Sequence, residues 1–173
     1  MTKPCALLFD TFGTIVDWRT SLIDELTAFG LERSIKADWA GLVDAWRGAY
    51  VPSMDEVRLG QRRWTKLDDL HRATLDRLVE KFGIIGLSEA ELRHINRGWH
   101  RLRPWPDSVP GLTRLKQHFI IAPLSNGNVS LLPFAFVCAS VQAVNPFEGI
   151  PLTELYSLLD PLDGVRSQKR NYV

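Results

Sequence analysis

Two short stretches hold the residue types that chemistry needs. Asp10 closes an apolar run, Ala6 to Phe9, and opens Thr11-Phe12-Gly13-Thr14. A carboxylate where a buried strand of an open α/β sheet runs out stands at the edge where such sheets present their ligand sites, and there it can attack. Gly13 lets the backbone turn sharply, and the amides of such a turn can receive an anion or developing negative charge. Thr11 and Thr14 add hydroxyls nearby. Taken alone, Asp10 has a second reading, as a plain cap of the following turn or helix. The other stretch is Leu124-Ser125-Asn126-Gly127-Asn128, polar residues directly behind a second apolar run, Phe119 to Leu124. These too form an ordinary polar turn when nothing else is considered.

The elements that must position these residues follow from periodicity. Ala6 to Phe9, apolar throughout, predicts a short strand buried on both faces and followed by a glycine turn. Leu22, Ile23, Leu26 and Phe29 recur at helical spacing, so the chain leaves that turn into a helix. From about 37 to 99 the pattern stays helical, with Trp39, Leu42, Val43 and Trp46 on one stripe and Leu67, Leu70, Leu75 and Leu78 on later ones. Arg103-Pro104-Trp105-Pro106-Asp107 interrupts the block. Each proline biases its predecessor away from helix, which predicts a stiff crossing that can serve as a hinge. Ser108 then caps a helix starting near Pro110 and running to His118, before Phe119 to Leu124 resumes as a buried strand.

Bulk properties bound what remains. A chain of 173 residues supports one core and one appendage. Lys plus Arg (21) nearly balance Asp plus Glu (20), so no net field recruits nucleic acid or an anionic membrane. The apolar run before Asp10 is too short for a signal-peptide core, and a cytoplasmic protein is expected. Cys5 and Cys138, far apart and without CxxC spacing, predict neither a disulfide framework nor a zinc site. His71, His94, His100 and His118 lack metal-ligand spacing, and none pairs with a serine nucleophile. The six tryptophans (18, 39, 46, 64, 99 and 105) lie in or beside the helical block, where they serve as packing residues or wall an apolar pocket. After Asn128 the sequence changes character, with no Asp, Glu, Lys or Arg from Gln117 through Phe147. Val129 to Val144 falls short of the roughly twenty apolar residues that cross a bilayer and contains Pro133, Ser140 and Gln142, so a buried segment is expected.

Phe9-Asp10-Thr11-Phe12-Gly13-Thr14 resembles the first motif of the haloacid dehalogenase superfamily, and Leu124-Ser125-Asn126-Gly127-Asn128 its second. Within the superfamily the chain is most similar to the type II 2-haloacid dehalogenases, members that accept fluoroacetate included, which also carry an aromatic residue two positions after the nucleophile. Phosphatases of the superfamily have a second aspartate there, because an alkoxide leaving group needs a proton whereas a halide does not. Phe12 therefore ranks the phosphatase reading last.

The resemblance implies an α/β fold with a Rossmann-like core, 1–17 and 101–173, and an inserted all-helical cap, 18–100. It implies hydrolytic dehalogenation of a small 2-haloacid through an aspartyl ester, with Asp10 as nucleophile and Ser125 and Asn126 holding the nucleophile and the substrate carboxylate. Thr11 and Phe12 would line the substrate site. A cap arginine would grip the anion, and Arg47, in Ala45-Trp46-Arg47, matches that context better than Arg33, Arg58, Arg62 or Arg63. Neither metal nor cofactor is implied, and a homodimer is. The resemblance covers about Lys3 to Asn128. Beyond it, the family's lysine and late acidic loop have no convincing counterpart: Lys169 stands in a polar tail, and Asp160 and Asp163 are nominal candidates. A frame change or truncation after about Ser130 is the expected origin of this difference. The alternative function is then a catalytically inactive fragment acting by association.

Overall fold

A computed structural model of the chain describes residues 5–127. The first strand, β1 (Ala6–Phe9), ends at Asp10. The following turn is tied by its own backbone. The Thr11 carbonyl accepts from Ile15 N (2.9 Å) and Val16 N (3.2 Å), while Gly13 N donates to the Val16 carbonyl at 2.9 Å. Gly13 adopts φ +93°, a conformation that disfavours any side chain. The turn delivers the chain to β2 (Val16–Asp17) and directly into α1 (Trp18–Glu32). Asp17 caps that helix by accepting from Thr20 N at 3.0 Å.

Four more helices follow: α2 (Trp39–Gly48), α3 (Tyr50–Arg58), α4 (Leu67–Lys81) and α5 (Glu89–Asn96), the last running into a 3₁₀ turn, Arg97–His100. Asp38 caps α2, and a reciprocal Ser88–Glu91 capping box starts α5. Both stripes expected from sequence face inward: Trp39, Leu42, Val43 and Trp46 of α2 and Leu67, Leu70, Leu75 and Leu78 of α4 are buried. Trp46 is almost wholly enclosed, and its Nε1 donates to the His71 carbonyl at 2.9 Å, joining α2 to α4.

The proline crossing is a short strand, β3 (Arg103–Pro104), paired antiparallel with β2. It is fastened to the turn after β1. Trp105 N and the Ser108 hydroxyl both donate to the Ile15 carbonyl (3.0 and 2.8 Å), and Trp105 Nε1 donates to the Gly13 carbonyl at 3.1 Å. These bonds pin a segment that sequence alone presented as a hinge. Next comes α6 (Ser108–Lys116), then β4 (Ile120–Pro123), which pairs parallel with β1 in the register Ala6↔Ile120 to Phe9↔Pro123. The architecture is α/β, a parallel strand pair with a helical block inserted between its members, as expected.

Two expectations are corrected. Ser108 is the first residue of α6, one position inside the helix, and its hydroxyl ties down Ile15 instead of capping. Ser108→Ala is expected to cost about 1 kcal/mol, because one buried hydrogen bond is lost while the Ile15 carbonyl keeps Trp105 N. Urea denaturation at neutral pH checks this; an unchanged midpoint would show the bond to be energetically silent. The strands are also not buried on both faces: Leu8 is 59% exposed, Ile120 66% and Leu124 67%. Among the described residues each strand has a single neighbour, and an apolar run alone does not reveal which of its faces is covered. Asn128, the stretch Val129 to Val144, Asp160, Asp163 and Lys169 lie outside the described residues.

Candidate functional site

Parallel pairing of β1 with β4 brings the two sequence motifs together. Leu124 N donates to the Phe9 carbonyl at 2.7 Å, which locks the strand ends side by side. One residue further on each chain, the Ser125 hydroxyl donates to Asp10 Oδ1 at 2.9 Å. From the turn, the Thr14 hydroxyl donates to Asp10 Oδ2 at 3.2 Å. Each carboxylate oxygen thus accepts one hydroxyl hydrogen bond and keeps a lone pair for other work. Asp10 is exposed, so reactants reach it from solvent, and its side chain is oriented from two directions. Asn126, adjacent to Ser125, is exposed as well.

Thr11 is fully buried, and its Oγ1 has no hydrogen-bond partner among the described residues. Its contribution visible here is the backbone carbonyl that holds the turn. Phe12 is half-buried, its ring edge-on to Trp99 with centroids 6.3 Å apart. Trp99 anchors an aromatic cluster, stacking on Trp18 (6.1 Å) and His71 (4.7 Å), with Trp46 edge-on at 5.5 Å. Of the six tryptophans, therefore, Trp18, Trp46 and Trp99 gather in this cluster, whereas Trp64 is 79% exposed.

Arg47 stands on the same cluster. Its guanidinium carbon lies over the Tyr50 ring at 4.7 Å and over the Trp18 ring at 5.6 Å. The other arginines of the helical block that competed with it divide clearly. Arg33 pairs with Glu91, Arg58 with Asp55 and Arg62 with Glu56. Arg47 makes no ion pair among the described residues, and Arg63 lies exposed in the loop before α4. A half-buried cation seated on aromatic faces, with its N–H edges unspent on carboxylates, has the character of an anion receptor.

Of the residues gathered here, sequence reading passed over Tyr50, gave His71 no role, and offered Trp18 and Trp99 only as packing or pocket-wall residues. His71 is buried, its Nδ1 has no partner among the described residues, and neither does Trp99 Nε1. Desolvation by burial lowers the His71 pKa to about 4; nearby Arg47 and His100 push the same way and Asp68 opposes them. The imidazole is therefore neutral near pH 7. A signal did exist in the sequence, since His71 falls on the buried stripe of α4 between Leu67 and Leu70 on one side and Thr74 and Leu75 on the other. Among the described residues no group of three or more His, Cys, Asp or Glu is placed to hold a metal ion, and no helix is long and apolar enough to cross a membrane.

No protein-family model matches the chain, and no curated protein matches its sequence. Solved structures do. The L-2-haloacid dehalogenase PA0810 is 43% identical over 83% of this chain, with a TM-score of 0.75. The defluorinating L-2-haloacid dehalogenase Rha0230 is 37% identical over 94% of this chain, again with a TM-score of 0.75. The chain spans 60% of the length of the first and 69% of the second. The L-2-haloacid dehalogenase from Xanthobacter autotrophicus with chloropropionic acid covalently bound, 22% identical with a TM-score of 0.67, shares the fold.

Proposed function

The chain belongs to the L-2-haloacid dehalogenase family of the haloacid dehalogenase superfamily, and from that premise we propose that it hydrolyses small 2-haloacids with Asp10 as nucleophile. The observation that carries the reading is the Asp10 carboxylate held by Ser125 and Thr14 at the ends of two parallel strands. In this reading 18–100 form the cap, inserted in a core that opens with 1–17 and resumes at 101, and the substrate sits between Asp10 and the aromatic cluster.

A carboxylate oxygen of Asp10 attacks C2 of the substrate in line with the carbon–halogen bond. The halide departs with the bonding pair, and an ester joins Asp10 to the acid. Halide needs no proton on leaving, which suits a site with Phe12 where a proton-donating carboxylate would otherwise stand. Water then adds to the aspartyl carbonyl. The oxyanion forms on the Asp10 oxygen that did not attack, and the hydroxyl already bonded to that oxygen, Ser125 for Oδ1 or Thr14 for Oδ2, is a donor fixed before the reaction starts. Collapse expels the alkoxide, which takes one proton of the added water while the other passes to solvent, so the 2-hydroxy acid leaves and Asp10 returns as a carboxylate. Ser125 and Asn126 hold the nucleophile and the substrate carboxylate, Thr11 and Phe12 shape the site, and Arg47 grips the anionic group opposite the nucleophile.

Halide release from chloroacetate, fluoroacetate and 2-chloropropionate, followed by ion chromatography, tests the proposal. Halide and hydroxy acid in equal amounts are expected; a folded protein that releases neither refutes it. Arg47→Lys tests the clamp, because an ammonium replaces the planar fork with a point charge. A loss of roughly 10- to 100-fold in kcat/KM is expected, the worth of hydrogen bonds to a charged group. Equal kcat/KM would remove Arg47 from the site. A second reading, a chain that acts only by association, is favoured by one observation, the exposed Leu8, Ile120 and Leu124 at the strand pair.

A further inference from the structure

We propose that Trp18 and Tyr50 are positioning residues that act through Arg47, and that Trp18 sets the spacing between this anion-binding arginine and the nucleophile turn. The inference rests on the reading of Arg47 as the anion clamp. An arginine side chain has four rotatable bonds, and one intended to receive a small anion needs something to hold its plane. Elsewhere in the helical block that service comes from carboxylates, as Glu91, Asp55 and Glu56 do for Arg33, Arg58 and Arg62. A carboxylate would spend the N–H edges and cancel the charge. Aromatic faces hold the guanidinium without doing either, because they attract its flat face and leave its edge donors free.

The two rings come from different places, and that separates their roles. Tyr50 opens α3, three residues beyond Arg47, and its ring centroid lies 6.3 Å from the buried His71. It fixes Arg47 relative to the helices around it. Trp18 opens α1, immediately after Asp17, and packs on the nucleophile turn: a Cβ built at Gly13 would lie 3.6 Å from Trp18 Nε1. Its other neighbour is Trp99, stacked at 6.1 Å. Trp18 therefore lies beside both the turn that follows Asp10 and the guanidinium, and one ring relates the position of the first to the second.

This division makes the variants distinguishable. Tyr50→Leu removes a face from Arg47 and leaves Trp18 in place, so KM for chloroacetate is expected to rise roughly 3- to 30-fold, the range of a partly desolvated cation–π contact, with kcat little changed. Tyr50→Phe keeps the face and is expected to behave as the unmodified chain. Trp18→Leu also loosens the spacing between anion and nucleophile, so both KM rises and kcat falls. Trp18→Phe restores part of each. A readout independent of turnover is the Arg47 Nε–Hε resonance, shifted by ring currents and titrated with chloroacetate in the Asp10→Asn chain.

Saturable movement of that resonance, weakened in both leucine variants and kept in Tyr50→Phe, supports the proposal even if no halide is released, a result that would count against the dehalogenase reading only. Halide release that is indifferent to Tyr50→Leu, or a Tyr50→Phe chain as impaired as Tyr50→Leu, overturns the positioning role and leaves dehalogenation standing.

Discussion

Asp10→Asn is expected to lower halide release from chloroacetate by roughly 10⁴-fold or more, the scale on which removing a covalent nucleophile acts. The amide is uncharged and a poor nucleophile at carbon, yet it has nearly the same shape as the carboxylate. Its oxygen can still accept from Ser125, and the Thr14 hydroxyl can rotate to accept from its nitrogen. Because Asp10 is exposed, its replacement is expected to shift stability by no more than about 0.5 kcal/mol. Loss of turnover with an unchanged denaturation midpoint therefore isolates chemistry from folding. The route can be separated from direct attack by water. In a single turnover carried out in ¹⁸O-water, the ester route leaves the label in the Asp10 carboxylate, because water adds at the aspartyl carbonyl and the oxygen delivered to carbon comes from Asp10. Water attacking C2 directly would label the hydroxy acid and leave Asp10 unlabelled. Mass spectrometry of the peptide containing Asp10 decides between them, and an unlabelled peptide after turnover removes the ester intermediate.

The sequence announced the order of elements because each long one repeats its apolar residues at the period of its geometry. The stripes at Trp39, Leu42, Val43 and Trp46 and at Leu67, Leu70, Leu75 and Leu78 point inward as periodicity requires. The β2–β3 pair was not legible. Val16–Asp17 and Arg103–Pro104 are two residues each, too short to display a period, and they are held by backbone bonds that composition does not record. Pinning by Trp105 and Ser108 turned an expected hinge into a fastening for the same reason. Asp10 and Ser125 stood out through the resemblance of their two motifs to those of the haloacid dehalogenase superfamily, and the parallel register of β1 with β4 is what turns 115 positions of separation into a 2.9 Å contact. The aromatic seat of Arg47 was hidden because Trp18 and Tyr50 belong to different helices, α1 and α3, from the arginine's own. Periodicity within one helix cannot show which rings meet across several.

His71 makes the fold sensitive to acid in a window that its burial defines. In the unfolded chain its imidazole takes a proton near pH 6.5, whereas in the folded protein burial holds the pKa down to about 4. The folded state thus favours the neutral form. This contribution is fully present above pH 6.5, declines as pH falls from 6.5 toward 4 because only the unfolded chain gains the proton, and is flat below 4. The span corresponds to about 3 kcal/mol, a large part of what a chain of this size has to spare. Carboxylates complicate acid titrations, for Asp44 and Glu89 are held below their ordinary values by Arg19 and Arg72, and Glu91 by Ser88. Their losses begin mainly where His71 has finished, at lower pH. The comparison that separates the two is His71→Phe, which keeps a flat ring for stacking on Trp99 and removes the titrating group. Urea midpoints taken between pH 7.5 and 4.5 are expected to fall steeply for the unmodified chain and shallowly for His71→Phe, with the two curves converging or crossing as pH drops. Parallel curves through that range would mean that the imidazole is hydrated or paired in solution, and burial would no longer explain its neutrality. Asp68, which acts against the depression, supplies the second arm: Asp68→Asn is expected to steepen the acid loss, since the charge that favours the imidazolium in the folded state is gone.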